Sequence, residues 1–259
     1  MKTVAAAFLF AAATTPCLAG AWTQPAGGGQ VIIKYEDVRA DDGFDPDGAR
    51  VPLPAERRER FASVFAEYGL SDRVTLRLRT DLQSGEDAFV DYEGRGPLEV
   101  GVNWRLHRGA TTAAALYVGF SQGGEGRNAG YAAPGEGDRD AEVRLAVGRS
   151  FTALPGPLAR ASASGAFVEA QVARRARDGL PDEARLDLTV GVRPDPDWLL
   201  LTQVYAGAAD QDGPRWVNLE ASAVRQFGPW RLQAGWRTSL AGRETPAAQG
   251  PVIGLWRNF

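Results

Sequence analysis

The chain has 259 residues, of which 44% are hydrophobic and 24% are charged, and its formal net charge is −3. Its 29 basic and 32 acidic residues nearly balance, which argues against the strongly basic surface of a nucleic-acid-binding protein. The single cysteine, Cys17, excludes an intrachain disulfide framework and a metal site built from several cysteines.

The first nineteen residues have the layout of a secretory signal peptide. Lys2 supplies a positive charge, an apolar run follows, and Pro16 precedes small residues at Ala19 and Ala21. We therefore expect residues 1–19 to be a signal peptide, with cleavage after Ala19 or Ala21, and residues 20–259 to form one domain.

Cys17 lies within this expected signal peptide. Lipoprotein processing at Cys17 is the alternative, but the rigid ring of Pro16 lies where a small residue is needed. We therefore expect an exported mature chain without thiols.

Alternation of apolar and polar residues predicts β-strands along most of the remaining chain. In RVTLRLRTDLQ, residues 73–83, the apolar Val74, Leu76 and Leu78 are separated by Thr75 and Arg77. A strand would place the two kinds of residue on opposite faces, whereas a helix would scatter them. Eleven further segments fit the pattern, at residues 31–38, 61–68, 97–107, 112–122, 140–151, 162–172, 183–192, 199–206, 217–227, 230–236 and 250–259.

The connections between these twelve predicted strands alternate between two classes. Short connections are expected at residues 69–72, 107–110, 152–158, 194–197 and 228–230. Longer ones, mostly acidic and rich in Gly and Pro, are expected at residues 41–56, 84–96, 123–139, 174–181, 210–214 and 241–248.

Short turns at one end, long loops at the other and an even number of strands of about 10 residues are typical of an outer-membrane barrel. The sequence thus predicts an all-β fold, a single closed antiparallel up-and-down transmembrane β-barrel of about 12 strands. A secreted soluble β-sandwich is the alternative, because it also alternates. The loop asymmetry, and charges in mid-strand opposite unbroken apolar stripes, favour the barrel.

Three predicted strands end with an arginine two positions before a phenylalanine. Each arginine shares the lipid-facing side of its phenylalanine, where a charge costs roughly 2–4 kcal/mol at the middle of the membrane but about 0–1 near an interface. We therefore expect a periplasmic interface belt, in which aromatic rings lie at the headgroup level. Three unrelated exposed strand ends are the alternative. The belt would contain Tyr68, Arg149, Phe151, Trp198, Arg225, Phe227, Trp230, Arg257 and Phe259.

Two short stretches resemble a known family. EYGLSDRVTL, residues 67–76, is similar to the strand, tight turn and strand of bacterial outer-membrane barrels related to transporters assigned to the phenol meta-cleavage pathway. GLWRNF, residues 254–259, resembles the C-terminal signal by which barrels are recognised for assembly, with Phe259 as the aromatic residue. Arg257 departs from that signal, because an apolar or aromatic residue is usual there. The resemblance implies the fold and the location rather than a substrate.

The polar face of the predicted strands would line the barrel interior, where acidic and basic residues are nearly equal in number. Such charges are costly to bury unless each is paired or hydrated. Small inward residues such as Gly119, Gly148 and Gly191 are expected to leave room. The predicted lumen-lining residues are Arg77, Arg79, Asp81, Glu99, Asn103, Arg105, Tyr117, Glu142, Arg144, Glu169, Arg185, Asp187, Gln203, Glu220, Gln233 and Arg237.

A barrel of twelve strands is intermediate between filled barrels of 8 and water-filled porins of 16–18 strands. We therefore expect a narrow polar channel for the passive or facilitated passage of small solutes. The alternative is a plugged barrel with a structural or interaction role.

An outer-membrane lipid-modifying enzyme is a third hypothesis, which would need a histidine beside a nucleophile. His107, the only histidine, lies in a predicted short periplasmic turn, so we expect no enzyme and no catalytic residue.

The acidic stretch DDGFDPDG, residues 41–48, does not match a calcium-binding EF-hand, because Gly43 occupies the first ligand position. We expect no cofactor and no metal site. The expected partners are outer-membrane lipids, the outer-membrane assembly machinery and small solutes, with no nucleic acid. The expected location is the outer membrane of a Gram-negative bacterium, with both termini in the periplasm.

Overall fold

The computed structural model describes residues 20–88, 91–124 and 137–259. The expected signal peptide, residues 1–19, lies outside the described residues, so its cleavage stays a prediction. Within the described residues, no helix has the length and apolar character needed to cross a membrane.

Fourteen strands in the described part of the chain form one sheet. They are β1 (Gly29–Phe44), β2 (Arg50–Ser71), β3 (Val74–Glu86), β4 (Asp91–Arg95), β5 (Leu98–Arg108), β6 (Thr112–Gln122), β7 (Arg139–Phe151), β8 (Ala166–Arg177), β9 (Glu183–Val192), β10 (Trp198–Ala209), β11 (Arg215–Phe227), β12 (Trp230–Arg243), β13 (Thr245–Pro246) and β14 (Gln249–Asn258). The short strands β4 and β13 pair with the ends of β3 and β1.

The twelve long strands form a closed antiparallel barrel. Each strand pairs with its neighbour along the chain, and β1 pairs with both β2 and β14, which closes the wall. The predicted fold, a single up-and-down barrel of twelve strands, is confirmed.

The faces of the strands explain why this sequence closes on itself. On β3, Thr75 and Asp81 point inward and are 0% and 6% exposed, whereas the outward Leu82 is 64% exposed. Phe120 on β6 and Val143 on β7 also face outward, at 68% and 51% exposed. An apolar outer surface of this extent fits a barrel wall covered by lipid.

The barrel has two different ends. The proximal end is the one at which Gly29 and Phe259 exchange two backbone hydrogen bonds, of 2.8 and 3.0 Å. The distal end is the opposite one. Several connections at the proximal end are tight, such as residues 72–73 between β2 and β3 and residues 228–229 between β11 and β12.

The long loops expected at residues 41–56 and 84–96 were wrong. β1 continues to Phe44 and β2 already begins at Arg50, so that only residues 45–49 turn. Arg50 Nε lies 3.0 Å from Asp42 Oδ2, and cross-strand pairing holds the extension together. Residues 91–95 likewise add the strand β4 to the end of β3. The sequence hides these strands because Gly43, Pro52 and Pro54, and the charged residues around them, are typical of loops.

The short turn expected at residues 152–158 was also wrong. β7 ends at Phe151 and β8 begins at Ala166. The connection contains two 3-10 turns, Gly156–Leu158 and Arg160–Ser162, and the Ser162 hydroxyl bonds the backbone at both ends of the first turn. This proximal connection is thus compact but not short.

Candidate functional site in the barrel lumen

Residues 20–28, which we call the lumen segment, enter the barrel from the proximal end. The backbone N–H of Ala21 donates to Glu169 Oε2 at 2.7 Å, and Asn103 Nδ2 donates to the carbonyl oxygen of Gly20 at 2.6 Å. The backbone N–H of Gln24 donates to Thr75 Oγ1 at 2.9 Å. Ala21 and Gln24 are 1% and 4% exposed. The barrel interior therefore satisfies the polar backbone of an inserted, irregular segment.

The aromatic ring of Trp22 packs this segment against the barrel wall. The ring lies edge-on to Phe167, with centroids 5.9 Å apart and planes at 81°. A Cβ atom at Gly148 would collide with Trp22, and one at Gly191 would collide with Phe167. These small inward residues do leave space, but rings of the chain itself fill it. The proximal half of the lumen therefore has an apolar core.

The distal half of the lumen contains a cavity of about 940 Å3 that extends down to Gly20. Twelve of the predicted lumen-lining residues line this cavity: Arg77, Arg79, Asp81, Glu99, Tyr117, Glu142, Arg144, Arg185, Asp187, Gln203, Gln233 and Arg237.

The remaining four predicted lumen residues lie elsewhere in the interior. Asn103 and Glu169 bond the lumen segment, and Arg105 Nε donates to Thr23 Oγ1 at 3.0 Å. Glu220 is fully buried behind the cavity surface.

A first ion-pair cluster connects β1, β11 and β12. Lys34 Nζ lies 3.1 Å from Glu36 Oε1 and 2.8 Å from Glu220 Oε2. Arg237 bridges the same two carboxylates at 2.6 and 2.8 Å, and its guanidinium lies 5.0 Å from the centroid of the Tyr205 ring. Two cations thus neutralise two buried anions.

A second cluster connects β5, β7, β8 and β9. Arg175 reaches Glu99 at 2.9 Å and Glu142 at 3.0 Å. Arg144 lies 2.7 Å from Glu142 and also pairs with Asp187. Because burial of an unpaired charge is costly, this cross-strand pairing lets a charged wall exist inside the barrel.

Three described arginines that line the cavity, Arg77, Arg79 and Arg139, belong to neither cluster. Arg79 on β3 lines the cavity, is exposed there, and has no ion pair or hydrogen bond from its side chain to any described residue. Its neighbour Arg77 lies 3.4 Å from Glu67 and stacks over the rings of Phe65 and Tyr117.

In the described part of the chain, every carboxylate that lines the cavity has a partner. Glu36, Glu59, Glu67, Glu99, Glu142 and Asp187 each lie beside an arginine or lysine, and Asp81 and Asp138 are engaged as well. Arg139 at the distal mouth resembles Arg79, since its side chain has no partner among the described residues. Among the described residues that line the cavity, acidic and basic side chains are equal in number, and the two charged groups without a close partner are both cations.

Sequence reasoning missed two groups of interior residues. The lumen segment has no alternating pattern, so nothing in its sequence predicts that Trp22 inserts. Ile32, Phe61 and Phe65 line the cavity, although apolar residues were expected to face lipid. Ile32 lies on the same face of β1 as Lys34, and Phe61 and Phe65 lie on the same face of β2 as Glu67. This shared alternation with charged residues could have identified them as inward-facing.

The expected belt residues lie at the proximal end. The Arg225 guanidinium lies 5.3 Å from the ring centroid of Trp198 and 4.9 Å from that of Phe227. Arg257 lies 4.9 Å from the Trp230 ring. Tyr68 and Phe259 are 44% and 60% exposed, and Arg149 lies 5.3 Å from the ring of Phe151.

Trp256 in β14 is not part of this belt. Its ring points into the barrel, where Nε1 donates to Gln233 Oε1 at 3.0 Å.

His107 lies in an exposed position near the end of β5, where Nε2 is 3.1 Å from Thr112 Oγ1. Among the described residues, no group of three or more His, Cys, Asp or Glu side chains is arranged to hold a metal ion.

The acidic stretch noted in the sequence forms the turn at residues 45–49. Asp45 Oδ1 accepts hydrogen bonds there from the backbone N–H groups of Asp47 and Ala49.

Comparisons with known proteins concern the fold. No family model and no curated protein sequence matches the chain. The COG4313 outer membrane channel from Pseudomonas putida F1 is 17% identical, with a TM-score of 0.64 over 92% of this chain and 98% of that one. The NanC porin is 8% identical, with a TM-score of 0.53 over 88% of this chain and 100% of that one. The translocator domain of the autotransporter NalP from Neisseria meningitidis is 9% identical, with a TM-score of 0.52 over 90% of this chain and 89% of that one. The chain therefore has the fold of outer-membrane barrels.

Proposed function

We propose that the protein is an outer-membrane channel for small solutes in a Gram-negative bacterium. The outer surface of the barrel is apolar and suits lipid, whereas its interior is polar and charged. Two of the barrels with this fold are named as a channel and a porin, which agrees with the proposal.

The cavity of about 940 Å3 is the observation that supports this proposal most directly. It runs from the distal end into the barrel, and Arg79 projects into it without a close ion pair to a described residue. An exposed cation in a confined space attracts anions. The channel would thus pass small anions more readily than cations.

The lumen segment would act as the inner closure of this path. Residues 20–24 of the segment are held by hydrogen bonds to wall side chains and by one packed ring, whereas Gly27 and Gly28 at the proximal end share two backbone hydrogen bonds with Gly69 of β2. The inner part could therefore move about this anchored end without breaking the barrel wall. Passage would require its displacement. A barrel that stays plugged is the second candidate function, favoured by the burial of Ala21 and Trp22.

Conductance in planar bilayers tests the channel. Purified, heat-modifiable protein should conduct KCl and show a reversal potential that indicates anion preference. Replacing Arg77 and Arg79 with Glu should shift selectivity towards cations, and Arg79→Glu alone should account for most of the shift because Glu67 already neutralises Arg77. Correctly folded protein without any conductance would leave the plugged barrel as the function.

We also propose how the barrel is oriented in the membrane and what it contacts there. The proximal end would face the periplasm, the belt residues would contact lipid headgroups, and residues 254–259 would be read by the assembly machinery. A lipid-modifying activity has little support, because the one hydrogen bond of the His107 ring goes to Thr112 at the exposed proximal rim. His107→Ala should therefore leave conductance unchanged.

A further inference from the structure

We propose that the cavity contains a binding site for a small organic monocarboxylate with a flat apolar body, with Arg79 as the anchor for the carboxylate and Phe61 and Phe65 as the apolar walls. This site deepens the proposed channel function and rests on it. It names the class of solute that the channel would favour.

The charge of the site is carried by Arg79. Each described carboxylate that lines the cavity is already engaged, whereas the guanidinium of Arg79 is exposed to the cavity and forms no hydrogen bond or close ion pair with a described residue. Its charge interacts at longer range with Glu36, which is already paired with Lys34 and Arg237. A guanidinium presents N–H groups in a planar fork that matches a carboxylate. An anionic solute would therefore gain a partner at Arg79 without displacing an existing ion pair.

The apolar walls come from the neighbouring strand β2. Phe61, Ser63 and Phe65 alternate along its inward face, and Arg79 lies directly across from Phe65 in the register with β3. Four residues of a strand span about 13 Å, so the two rings stand on either side of the small Ser63. Ile32 on β1 is the cross-strand partner of Phe65 and extends the apolar surface.

The charge of Arg79 and the rings of Phe61 and Phe65 would together determine which solutes bind. A flat apolar ring would lie over Ser63 between Phe61 and Phe65, while its carboxylate reaches Arg79. The cross-strand neighbours of Ser63, Lys34 and Asp81, are both already engaged. One face of the Phe65 ring is already covered by Arg77, at 5.1 Å from the ring centroid, so Phe61 offers the freer ring. Small inorganic anions would use only the charge, and neutral aromatic molecules would use only the rings.

Three probes separate these contributions: benzoate, acetate and benzyl alcohol. In planar bilayers, benzoate should reduce the KCl current at a lower concentration than acetate or benzyl alcohol. Arg79→Gln should raise the half-blocking concentration of benzoate by about tenfold, as expected for loss of a charge-assisted hydrogen bond. Phe61→Leu should weaken block by benzoate and leave the response to acetate unchanged. Arg160→Gln, in the exposed proximal connection outside the cavity, is the matched control.

A second readout does not depend on conductance. A titration by saturation-transfer NMR on the refolded, heat-modifiable protein should detect benzoate bound to the wild type and show about tenfold weaker binding in Arg79→Gln. Equal block by benzoate and acetate, or benzoate binding of the same strength in Arg79→Gln as in the wild type, would overturn the site. If the protein binds benzoate but conducts no KCl, the site stands and the channel function fails.

Discussion

The backbone N–H of Ala21 donates a 2.7 Å hydrogen bond to Oε2 of Glu169, 148 residues away on β8. Glu169 is only 3% exposed, and its other carboxylate oxygen accepts from Gln171. A carboxylate of the barrel wall therefore holds the lumen segment inside the barrel.

Removing this carboxylate should release the lumen segment more often. A hydrogen bond to a charged group contributes about 1.5–3 kcal/mol, and 1.4 kcal/mol corresponds to about a tenfold change in an equilibrium. Glu169→Ala should thus raise the open probability in single-channel recordings by about tenfold. Glu56→Ala, at an exposed position near the distal end, is the control. An open probability equal to that of the wild type would show that Glu169 does not hold the closure.

Arg225 should stabilise the barrel through its two aromatic neighbours and through lipid. A cation–π contact at an exposed site contributes about 0.5–1 kcal/mol. Arg225→Ala should lower the free energy of unfolding by about 1 kcal/mol, and by more in vesicles with anionic headgroups than in zwitterionic ones, as measured by urea titration. Arg215→Ala, exposed at the distal end, should show no such dependence on the headgroup. The interface proposal for Arg225 fails if both variants respond alike.

Phe259 should matter for insertion as well as for closure. Its backbone bonds Gly29 across the seam, and its ring is 60% exposed at the proximal rim, where aromatic rings suit a membrane interface. Phe259→Ala should reduce the heat-modifiable fraction in the outer membrane severalfold, while Phe259→Tyr should preserve it. Leu158→Ala, an exposed proximal control, should behave as the wild type. Normal insertion of Phe259→Ala would exclude a role for this ring in assembly.

The orientation of the barrel can be measured with two matched cysteines. Asp47 lies in the distal turn between β1 and β2, and Asp195 lies in the proximal turn between β9 and β10. Only Asp47→Cys should react with a membrane-impermeant thiol reagent on intact cells, because the proximal end is proposed to be periplasmic. Labelling at Asp195→Cys alone would invert the topology.

The sequence predicts the wall of the barrel well and its filling poorly, for a physical reason. Lipid imposes an apolar outer stripe on segments such as Val74–Leu82, so period two is visible there. At the distal extension near Arg50, Gly43, Pro52 and Pro54 interrupt the alternation and are typical of loops, so the strand signal disappears. The lumen segment is irregular, and its position depends on partners such as Glu169 and Asn103 that are distant in sequence.

The interior charges show the same limit. Parity places Arg79 on an inward face but does not tell whether it is neutralised, and Arg175 was expected in the loop at residues 174–181, although β8 continues to Arg177. Arg175 pairs with Glu99, 76 residues away, through the curvature of the wall. That Arg79 has no such partner becomes apparent only when the barrel is closed.

A reversible disulfide between the lumen segment and the barrel wall tests most directly the claim that the lumen segment closes the channel. The backbone nitrogen of Gln24 lies 2.9 Å from Thr75 Oγ1, so Gln24→Cys combined with Thr75→Cys places two cysteines at contacting residues, in a chain whose only natural cysteine is Cys17. We predict low KCl conductance of the oxidised variant in planar bilayers and a severalfold rise on reduction, with no response to reductant in either single variant. Equal conductance before and after reduction, with the disulfide verified by mass spectrometry, would contradict a channel closed by its own lumen segment.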